Sequence, residues 1–294
     1  MGSLLNLSSS ALLAGKTDYS KMYLTFEARE SGTFKNSSFA TQYSTNGGAT
    51  WNSLAANTNS PTIAAGDKIM WKATITPTSS AGSGTFSATG NFDVEGNAMS
   101  LLFGDNFVGQ TSLSGKSYAF YKLFKTNTKI VNAENLIFPA TTLSDTCYRE
   151  SFQGCKSLVT IPRLPAKILA ANCYRSMYID CFSLVDIPFD YLPATTLADY
   201  CYKSMFGNCK NITKSPLLPA ATLVYYCYEQ MFIGCSLLEN VTCLATDISA
   251  SRCVGSWLNN TSATGTFIKA SSMSSWPRTT SGIPSGWTVV DYTE

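Results

Sequence analysis

The second half of the chain repeats itself with a period of about 26 residues. Four copies begin at Phe138, Leu164, Leu192 and Leu218, as in LPATTLADYCYKSMFGNCKNIT, and a degenerate fifth copy begins at Leu244. The first cysteines of the five copies are spaced by 26, 28, 26 and 26 residues. A period this constant predicts structural units that each bury an apolar face against their neighbours.

Apolar or small residues recur at every fourth position within a copy. Leu143, Cys147, Ser151 and Cys155 show this spacing in the first copy. We interpret the spacing as one face of a helix, with the proline of the LPA motif near the helix start. A short extended segment, such as 157–161, follows the second cysteine of each copy. One helix and one strand per copy is the leucine-rich-repeat arrangement, in which the strands form a parallel sheet.

The first half of the chain has the pattern of short β-strands. Alternating residues from Tyr23, a hairpin signal at Asn46–Gly48 and a β-prone run over 68–75 predict five or six strands. Strands with one apolar face need a second layer, so we expect an immunoglobulin-like β-sandwich. Its aromatic residues, including Trp51 and Trp71, are predicted to form the core, and an exposed glycan-binding face is the alternative.

Together these patterns predict a β-sandwich followed by an α/β leucine-rich-repeat solenoid with parallel strands and short helices. The predicted domain limits are 1–20 for an N-terminal segment, 21–105 for the sandwich, 106–135 for an N-terminal cap of the solenoid, 136–270 for the repeats and 271–294 for a C-terminal cap. Trp276 and Trp287 are expected to pack over the last copy.

The ten cysteines all lie between Cys147 and Cys253. Because their period equals the structural period, we expect two buried ladders of reduced thiols. The first ladder comprises Cys147, Cys173, Cys201, Cys227 and Cys253, and the second comprises Cys155, Cys181, Cys209 and Cys235. Parallel Cα–Cβ vectors in adjacent copies suit stacking better than the torsion of about 90° in a disulfide. A disulfide framework and a zinc site are the alternatives, although C-x7-C does not match the spacing of structural zinc knuckles.

A tyrosine follows the first cysteine of four copies, and a basic residue follows the tyrosine in three of them. The tyrosines are predicted to form an aromatic column on the repeat surface: Tyr148, Tyr174, Tyr202 and Tyr228. Beside it we expect a basic column of Arg149, Arg175 and Lys203. Repeat proteins bind partners through such extended surfaces. In the alternative interpretation the rings only shield the layer beneath them and the charges are solvated.

The chain contains no histidine, which excludes Ser-His-Asp and Cys-His catalysis as well as imidazole-ligated zinc. Its acidic residues form no recognisable catalytic pair, so we expect no enzymatic activity and no cofactor. The formal net charge is +2, and 14% of residues are charged, against about a quarter in typical proteins. We therefore expect no nucleic acid partner, because no strong field is present to concentrate a polyanion.

No apolar run reaches the roughly 18 residues that a membrane-spanning helix needs, so no membrane insertion is expected. The opening MGSLLNLSSSALLAG has no positive charge before Lys16 and no apolar run long enough for a secretory signal. A cell-surface or secreted location is therefore expected only if a signal has been trimmed from the chain.

The repeat motifs resemble those of BspA-like (Treponema-type) leucine-rich-repeat proteins of gut bacteria. In CYRESFQGCKSL, Cys147 stands at the family's aliphatic position, Ser151–Phe152 at its Ala-Phe pair, and Gly154–Cys155 matches directly, whereas Asp180 and Asn208 depart from the glycine. The resemblance implies a non-enzymatic surface protein for recognition or adhesion, with a protein or glycan partner. A bacteriophage virion fibre or receptor-binding component is the alternative function. The resemblance supplies no site residue.

Overall fold

The computed structural model describes residues 17–77, 86–279 and 281–293. The strands of the first half are β1 (Leu24–Ala28), β2 (Phe34–Asn36), β3 (Thr41–Ser44), β4 (Asn52–Leu54), β5 (Lys68–Lys72), β6 (Phe86–Ala88) and β7 (Phe92–Asn97). The helix α1 (Ser100–Phe103) precedes β8 (Ile130–Asn132), β9 (Leu136–Ile137), β10 (Lys214–Leu218), β11 (Asn240–Cys243), β12 (Gly265–Lys269) and β13 (Trp287–Asp291). Short 3₁₀ turns span Tyr19–Lys21 and Gly104–Asn106. The opening segment, on which the expectation about a secretory signal rests, lies outside the described residues.

One mixed sheet contains seven strands, in the order β4-β3-β5-β1-β7-β8, with β9 also paired to β7. The pairs from β4 to β7 are antiparallel, whereas β8 and β9 join β7 in parallel. Strands β3 and β4 form a hairpin around the Asn-Gly-Gly signal, where the Ser44 hydroxyl accepts a hydrogen bond from the Gly48 amide at 2.9 Å. Strands β2 and β6 form a separate antiparallel pair.

Aromatic side chains pack these two sheets together. Phe26 of β1 lies 5.3 Å from Phe34 of β2 and 5.1 Å from Phe86 of β6, measured between ring centroids. Trp71 of β5 lies 5.3 Å from Phe86, and all four rings are buried. Trp51 is half-buried. Most of the aromatic residues of the first half therefore stabilise the interior.

The repeats consist of consecutive turns. The amide of Arg175 donates to the carbonyl oxygen of Asn172, three residues earlier, at 3.3 Å. The next amide, that of Ser176, donates instead to the carbonyl oxygen of Lys203 in the following copy, at 2.8 Å. Because this alternation continues along each copy, neighbouring copies are hydrogen-bonded at every second residue.

Every fourth residue of a copy has a positive φ angle, as the third residue of a type II turn requires. Gly154 and Gly234 both adopt a φ of 73° at this position, where they have no Cβ to strain the backbone. Elsewhere the position holds other residues, among them Ser176 with a φ of 54° and the β-branched Thr146 with a φ of 62°. The turn geometry is therefore imposed by hydrogen bonding between copies as well as by glycine.

The predicted β-sandwich followed by an α/β leucine-rich-repeat solenoid is wrong. Within the described residues the one α-helix is the four-residue α1, which precedes the repeats. The spacing that we interpreted as a helical face reflects turns that repeat every four residues, whereas an α-helix repeats every 3.6 residues. Among the described residues from 136 onward, regular parallel strands beyond β9 occur only in the sheet β10-β11-β12-β13. In place of the predicted sandwich, the mixed seven-stranded sheet packs against the two-stranded β2–β6 pair, and Phe26 of β1 also lies 5.9 Å from the ring of Phe124.

Buried apolar residues form one cluster that extends from Leu24 to Trp287. At its C-terminal end the ring of Trp276 stacks on that of Trp257 with a centroid distance of 5.5 Å. The indole N–H of Trp287 donates to the carbonyl oxygen of Ser262 at 2.8 Å. None of the helices in the described ranges has the length and apolar character that crossing a bilayer requires. The domain limits stay a prediction.

Candidate functional site

Side chains of a copy face the interior and the solvent in alternating pairs. In the second copy the residues 173–174 and 177–178 are buried, while 175–176 and 179–180 reach the surface. Turns that repeat every four residues produce this arrangement, because each turn directs two successive side chains to the same side. The outward pairs are therefore the positions at which a copy can contact a partner.

The four tyrosines predicted to form a surface column lie inside the protein. Tyr148, Tyr174, Tyr202 and Tyr228 are at most 2% exposed. Neighbouring rings stack with centroid distances of 5.6, 5.8 and 6.0 Å, and Phe120 extends the stack at 5.3 Å from Tyr148. Burial raises the pKa of all four phenols. The column exists as a core element, so no partner can touch these rings while the protein is folded.

A second aromatic stack runs beside the first. Its rings lie 5.2 to 5.7 Å apart and come from Phe124, Phe152, Tyr178, Phe206 and Phe232. Offset or tilted ring pairs at such distances contribute about 0.5–1.5 kcal/mol beyond their burial. The two stacks give the repeats an aromatic interior.

All ten cysteines are buried free thiols. The four members of the second ladder each place Sγ 3.0 to 3.2 Å from a carbonyl oxygen of the preceding copy, to which the thiol donates. In the first ladder, burial raises the pKa of Cys147 and Cys201 to about 12. Cys243 lies in β11 and belongs to neither ladder. Thiols that are protonated and enclosed in this way are not nucleophiles at neutral pH.

The described residues contain no group of three or more His, Cys, Asp or Glu side chains arranged to hold a metal ion. Two acidic side chains of the repeats, Glu150 and Glu229, instead form ion pairs with basic neighbours beside the predicted basic column.

The three residues of the basic column reach the surface. Arg149, Arg175 and Lys203 are all half-buried and occupy equivalent positions in three neighbouring copies. Beside Arg149, the Oε1 atom of Glu150 lies 3.0 Å from Arg149 Nε, and its Oε2 atom lies 2.6 Å from Lys125 Nζ. Burial favours a higher pKa for Glu150, but the neighbouring cations outweigh it, so that its pKa is lowered.

A second buried carboxylate anchors the other end of the column. Glu229 is 2% exposed and forms ion pairs with Lys203 and Arg252, the latter with 2.7 Å between Oε1 and Nε. A carboxylate this deeply buried is tolerated because two cations surround it. Lys203 and Arg252 are therefore both ion-paired to the same carboxylate.

Arg175 lies between these two ion-paired groups and has no carboxylate partner among the residues that the structure describes. Its Nη1 lies 3.4 Å from the side-chain oxygen of Asn172, and its guanidinium lies 5.6 Å from the centroid of the Tyr200 ring. Burial and the like charge of Arg149 lower the pKa of Arg175. The exposed Asp145 lies on the adjacent turn, where it accepts a 3.3 Å hydrogen bond from Asn172.

Tyrosines other than the predicted ones flank the cations. Arg149 lies 5.6 Å from the Tyr121 ring, Lys203 lies 4.8 Å from the Tyr226 ring, and Arg252 lies 5.2 Å from the same ring. Sequence reasoning passed over these tyrosines because it considered only the residue that follows the first cysteine. Tyrosine before that cysteine, as in DYCY and YYCY, is the signal that identifies Tyr200 and Tyr226, whereas Tyr121 lies in a segment without cysteine.

We call this surface the Arg175 face, formed by Arg149, Arg175, Lys203 and Arg252 with the rings of Tyr121, Tyr200 and Tyr226. Comparison of the chain with protein-family models, with curated proteins and with solved structures finds no match.

Proposed function

We propose that this chain is a non-enzymatic recognition protein of a bacterial cell surface, and that it binds an anionic group of a protein or glycan partner through the Arg175 face. One observation carries the proposal. The guanidinium of Arg175 is half-buried beside Tyr200 and lacks a carboxylate partner among the described residues, while the cations on both sides of it are paired.

The chemistry of arginine makes an anion the natural partner for this position. A guanidinium offers parallel N–H donors that match a carboxylate or sulfate in two-point contact. Because burial and Arg149 already lower the pKa of Arg175, a bound anion relieves an unfavourable environment. Arginine and tyrosine are also the side chains that most often dominate the energy of binding surfaces.

Features of the whole chain support recognition of a discrete group. A net charge of +2 favours one or a few anionic groups over a polyanion such as nucleic acid. The lack of histidine supports binding rather than acid–base catalysis. The resemblance of the repeats to BspA-like proteins supports a cell-surface or secreted setting.

An array of glycans and extracellular matrix proteins tests the proposal. The full chain is compared with Arg175→Gln, which removes the charge at similar length, and with Lys214→Gln, which removes an exposed charge from β10. We expect a ligand that wild-type protein and Lys214→Gln retain and that Arg175→Gln loses. Equal retention by both variants contradicts the assignment to the Arg175 face.

A further inference from the structure

A second outward position of the repeats places an aromatic ring between two lysines. The residues directly after the second cysteine of three successive copies are Lys156, Phe182 and Lys210. The ammonium nitrogens lie 5.6 Å (Lys156) and 5.2 Å (Lys210) from the centroid of the Phe182 ring. Both lysines are exposed and Phe182 is half-buried, so the ring and the two charges are open to solvent together.

Neither lysine is neutralised by a carboxylate within the described ranges. Asp180, two residues before Phe182, accepts a hydrogen bond from the side chain of Asn208 at 2.8 Å and forms no ion pair with either lysine. Two exposed ammonium groups outnumber the one nearby carboxylate, that of Asp180, and leave a local positive charge that a bound anion can compensate.

A concave pocket opens beside the Phe182 ring. It has a volume of about 390 Å³, at the lower end of the range of small-molecule sites. Besides Lys156 and Phe182, its wall contains the polar side chains of Thr126, Thr128, Gln153 and Asp180, together with Gly154. The side-chain oxygen of Gln153 is buried and has no hydrogen-bond partner in the described part of the chain. The pocket thus combines an aromatic surface, the unpaired Lys156 in its wall, the Asp180 carboxylate and an unused hydrogen-bonding oxygen, and Lys210 lies beside the same ring.

We propose that this pocket binds an acidic sugar residue of a glycan, one that carries a carboxylate or a sulfate. The C–H face of a pyranose ring packs on Phe182, its hydroxyl groups exchange hydrogen bonds with Thr126, Gln153 and Asp180, and its anionic group lies near the lysines. The inference rests on the proposed function in treating the repeats as a recognition surface, and it adds a ligand class and a site outside the Arg175 face.

Titration calorimetry of the full chain tests the proposal. The acidic probes are sialyllactose, a hyaluronan tetrasaccharide and a chondroitin sulfate disaccharide, and the neutral and non-sugar controls are lactose and inorganic sulfate. We expect saturable binding of at least one acidic probe. We expect lactose and sulfate to bind about tenfold more weakly or not at all, because lactose lacks an anionic group and inorganic sulfate lacks a sugar ring.

Variants locate the binding. We expect Lys210→Gln to weaken binding of the acidic probe about tenfold, the size expected when a charged hydrogen bond is lost. We expect Phe182→Leu to weaken it about tenfold as well, because the aromatic face on which the sugar packs is removed. The matched controls are Phe189→Leu and Lys214→Gln, which alter an exposed ring and an exposed lysine elsewhere on the repeats. They should bind as wild type does. Unchanged urea unfolding of all four variants shows that the fold is retained.

Three outcomes overturn the proposal. These are no binding of any acidic probe, sulfate binding as tight as that of the sulfated disaccharide, and acidic-sugar binding that survives Phe182→Leu but is lost in Arg175→Gln. The last outcome moves the ligand to the Arg175 face and leaves the proposed function intact. Conversely, loss of partner binding in Arg175→Gln with no role for Phe182 supports recognition while rejecting this pocket.

Discussion

The thiol of Cys181 donates a hydrogen bond to the carbonyl oxygen of Phe152, one copy earlier, over 3.1 Å from Sγ to oxygen. Cys155 and Cys235 make the equivalent bond to Phe124 and Phe206. The carbonyl oxygen of Phe152 also accepts from the amide of Cys155 at 3.1 Å, so the thiol is a second donor to it. The cysteine at this position therefore fills the core while its own S–H group stays hydrogen-bonded. This relationship explains why a small thiol recurs with the period of the repeat.

Thiol reactivity provides the first prediction. The ten thiols are buried and free, so a thiol reagent at mildly alkaline pH should modify essentially none of them in the native protein. After denaturation all ten should react at once. Rapid modification of several native thiols argues against the buried ladders, and fewer than ten reactive thiols after denaturation indicates disulfides.

Alkaline pH should destabilise the fold. Burial raises the pKa of four thiols to about 12 from an ordinary value of 9.0: Cys147, Cys201, Cys235 and Cys243. The unfolded chain therefore loses these protons at lower pH than the folded chain does. Their stabilising effect is complete below about pH 9, and between about pH 9 and pH 12 each thiol lowers the free energy of unfolding by about 1.4 kcal/mol per pH unit as the pH rises.

Urea unfolding between about pH 8 and pH 10 measures this dependence. The variant Cys201→Ala is expected to be less stable than wild type at neutral pH, because it leaves a cavity. Its stability should nevertheless fall less steeply with pH, since one titrating group is gone. A free energy of unfolding that stays constant up to about pH 10 is incompatible with buried protonated thiols.

The hydroxyl groups of two core tyrosines should have opposite effects on stability. The Tyr148 hydroxyl is buried without a hydrogen-bond partner among the described residues, whereas Tyr178 and Tyr191 share a hydrogen bond of 2.8 Å. Tyr148→Phe should therefore raise the free energy of unfolding by about 1 kcal/mol, and Tyr178→Phe should lower it by about 1 kcal/mol. Chemical denaturation of both variants measures the difference, and the same sign for both rejects this account of the core.

Backbone strain at the turns can be tested with a pair of glycine substitutions. Thr126 is an exposed β-branched residue with a φ of 60°, while the nearby exposed Thr128 has no positive φ. Glycine increases the entropy of the unfolded chain equally at both positions, but it relieves strain only at Thr126. We expect Thr126→Gly to be more stable than Thr128→Gly by about 1–2 kcal/mol in urea unfolding. Equal stabilities contradict the left-handed conformation at Thr126.

The repeat period and the positions of the cysteines can be predicted from the sequence, but the helix predicted for each copy is wrong. An α-helix turns about 100° per residue, so a strict four-residue spacing drifts by about 40° at each step. From Leu143 to Cys155 this drift accumulates, so on an α-helix the apolar residues would be spread around the axis instead of lying on one face. In CYRSMYIDC two inward-facing residues alternate with two outward-facing residues, and this pattern fits four-residue turns better than an α-helix. Glycine marks only some positive φ positions, and nothing in the residue types at Thr146 or Ser176 indicates the rest.

The interpretation of the turns as a helix also explains why the tyrosine column was wrongly predicted to lie on the surface. On a helix the residue after an inward cysteine points away from the core, whereas in these turns Cys173 and Tyr174 both point inward. The outward position of Arg175 follows from the sequence pattern. The sequence does not show that Arg175 lacks a carboxylate partner. This depends on Glu150 and Glu229, which lie in other copies and bind other cations. Only the folded arrangement determines how charges are distributed between copies.

The most direct test of the central claim measures how tightly the partner found on the array binds to wild-type protein, Arg175→Gln and Lys214→Gln. The affinities are measured at low and at high salt. We predict that Arg175→Gln weakens binding about tenfold, that Lys214→Gln has no effect, and that added salt weakens wild-type binding more than binding by the Arg175 variant. Equal affinities of wild type and Arg175→Gln at both salt concentrations would contradict recognition through the Arg175 face.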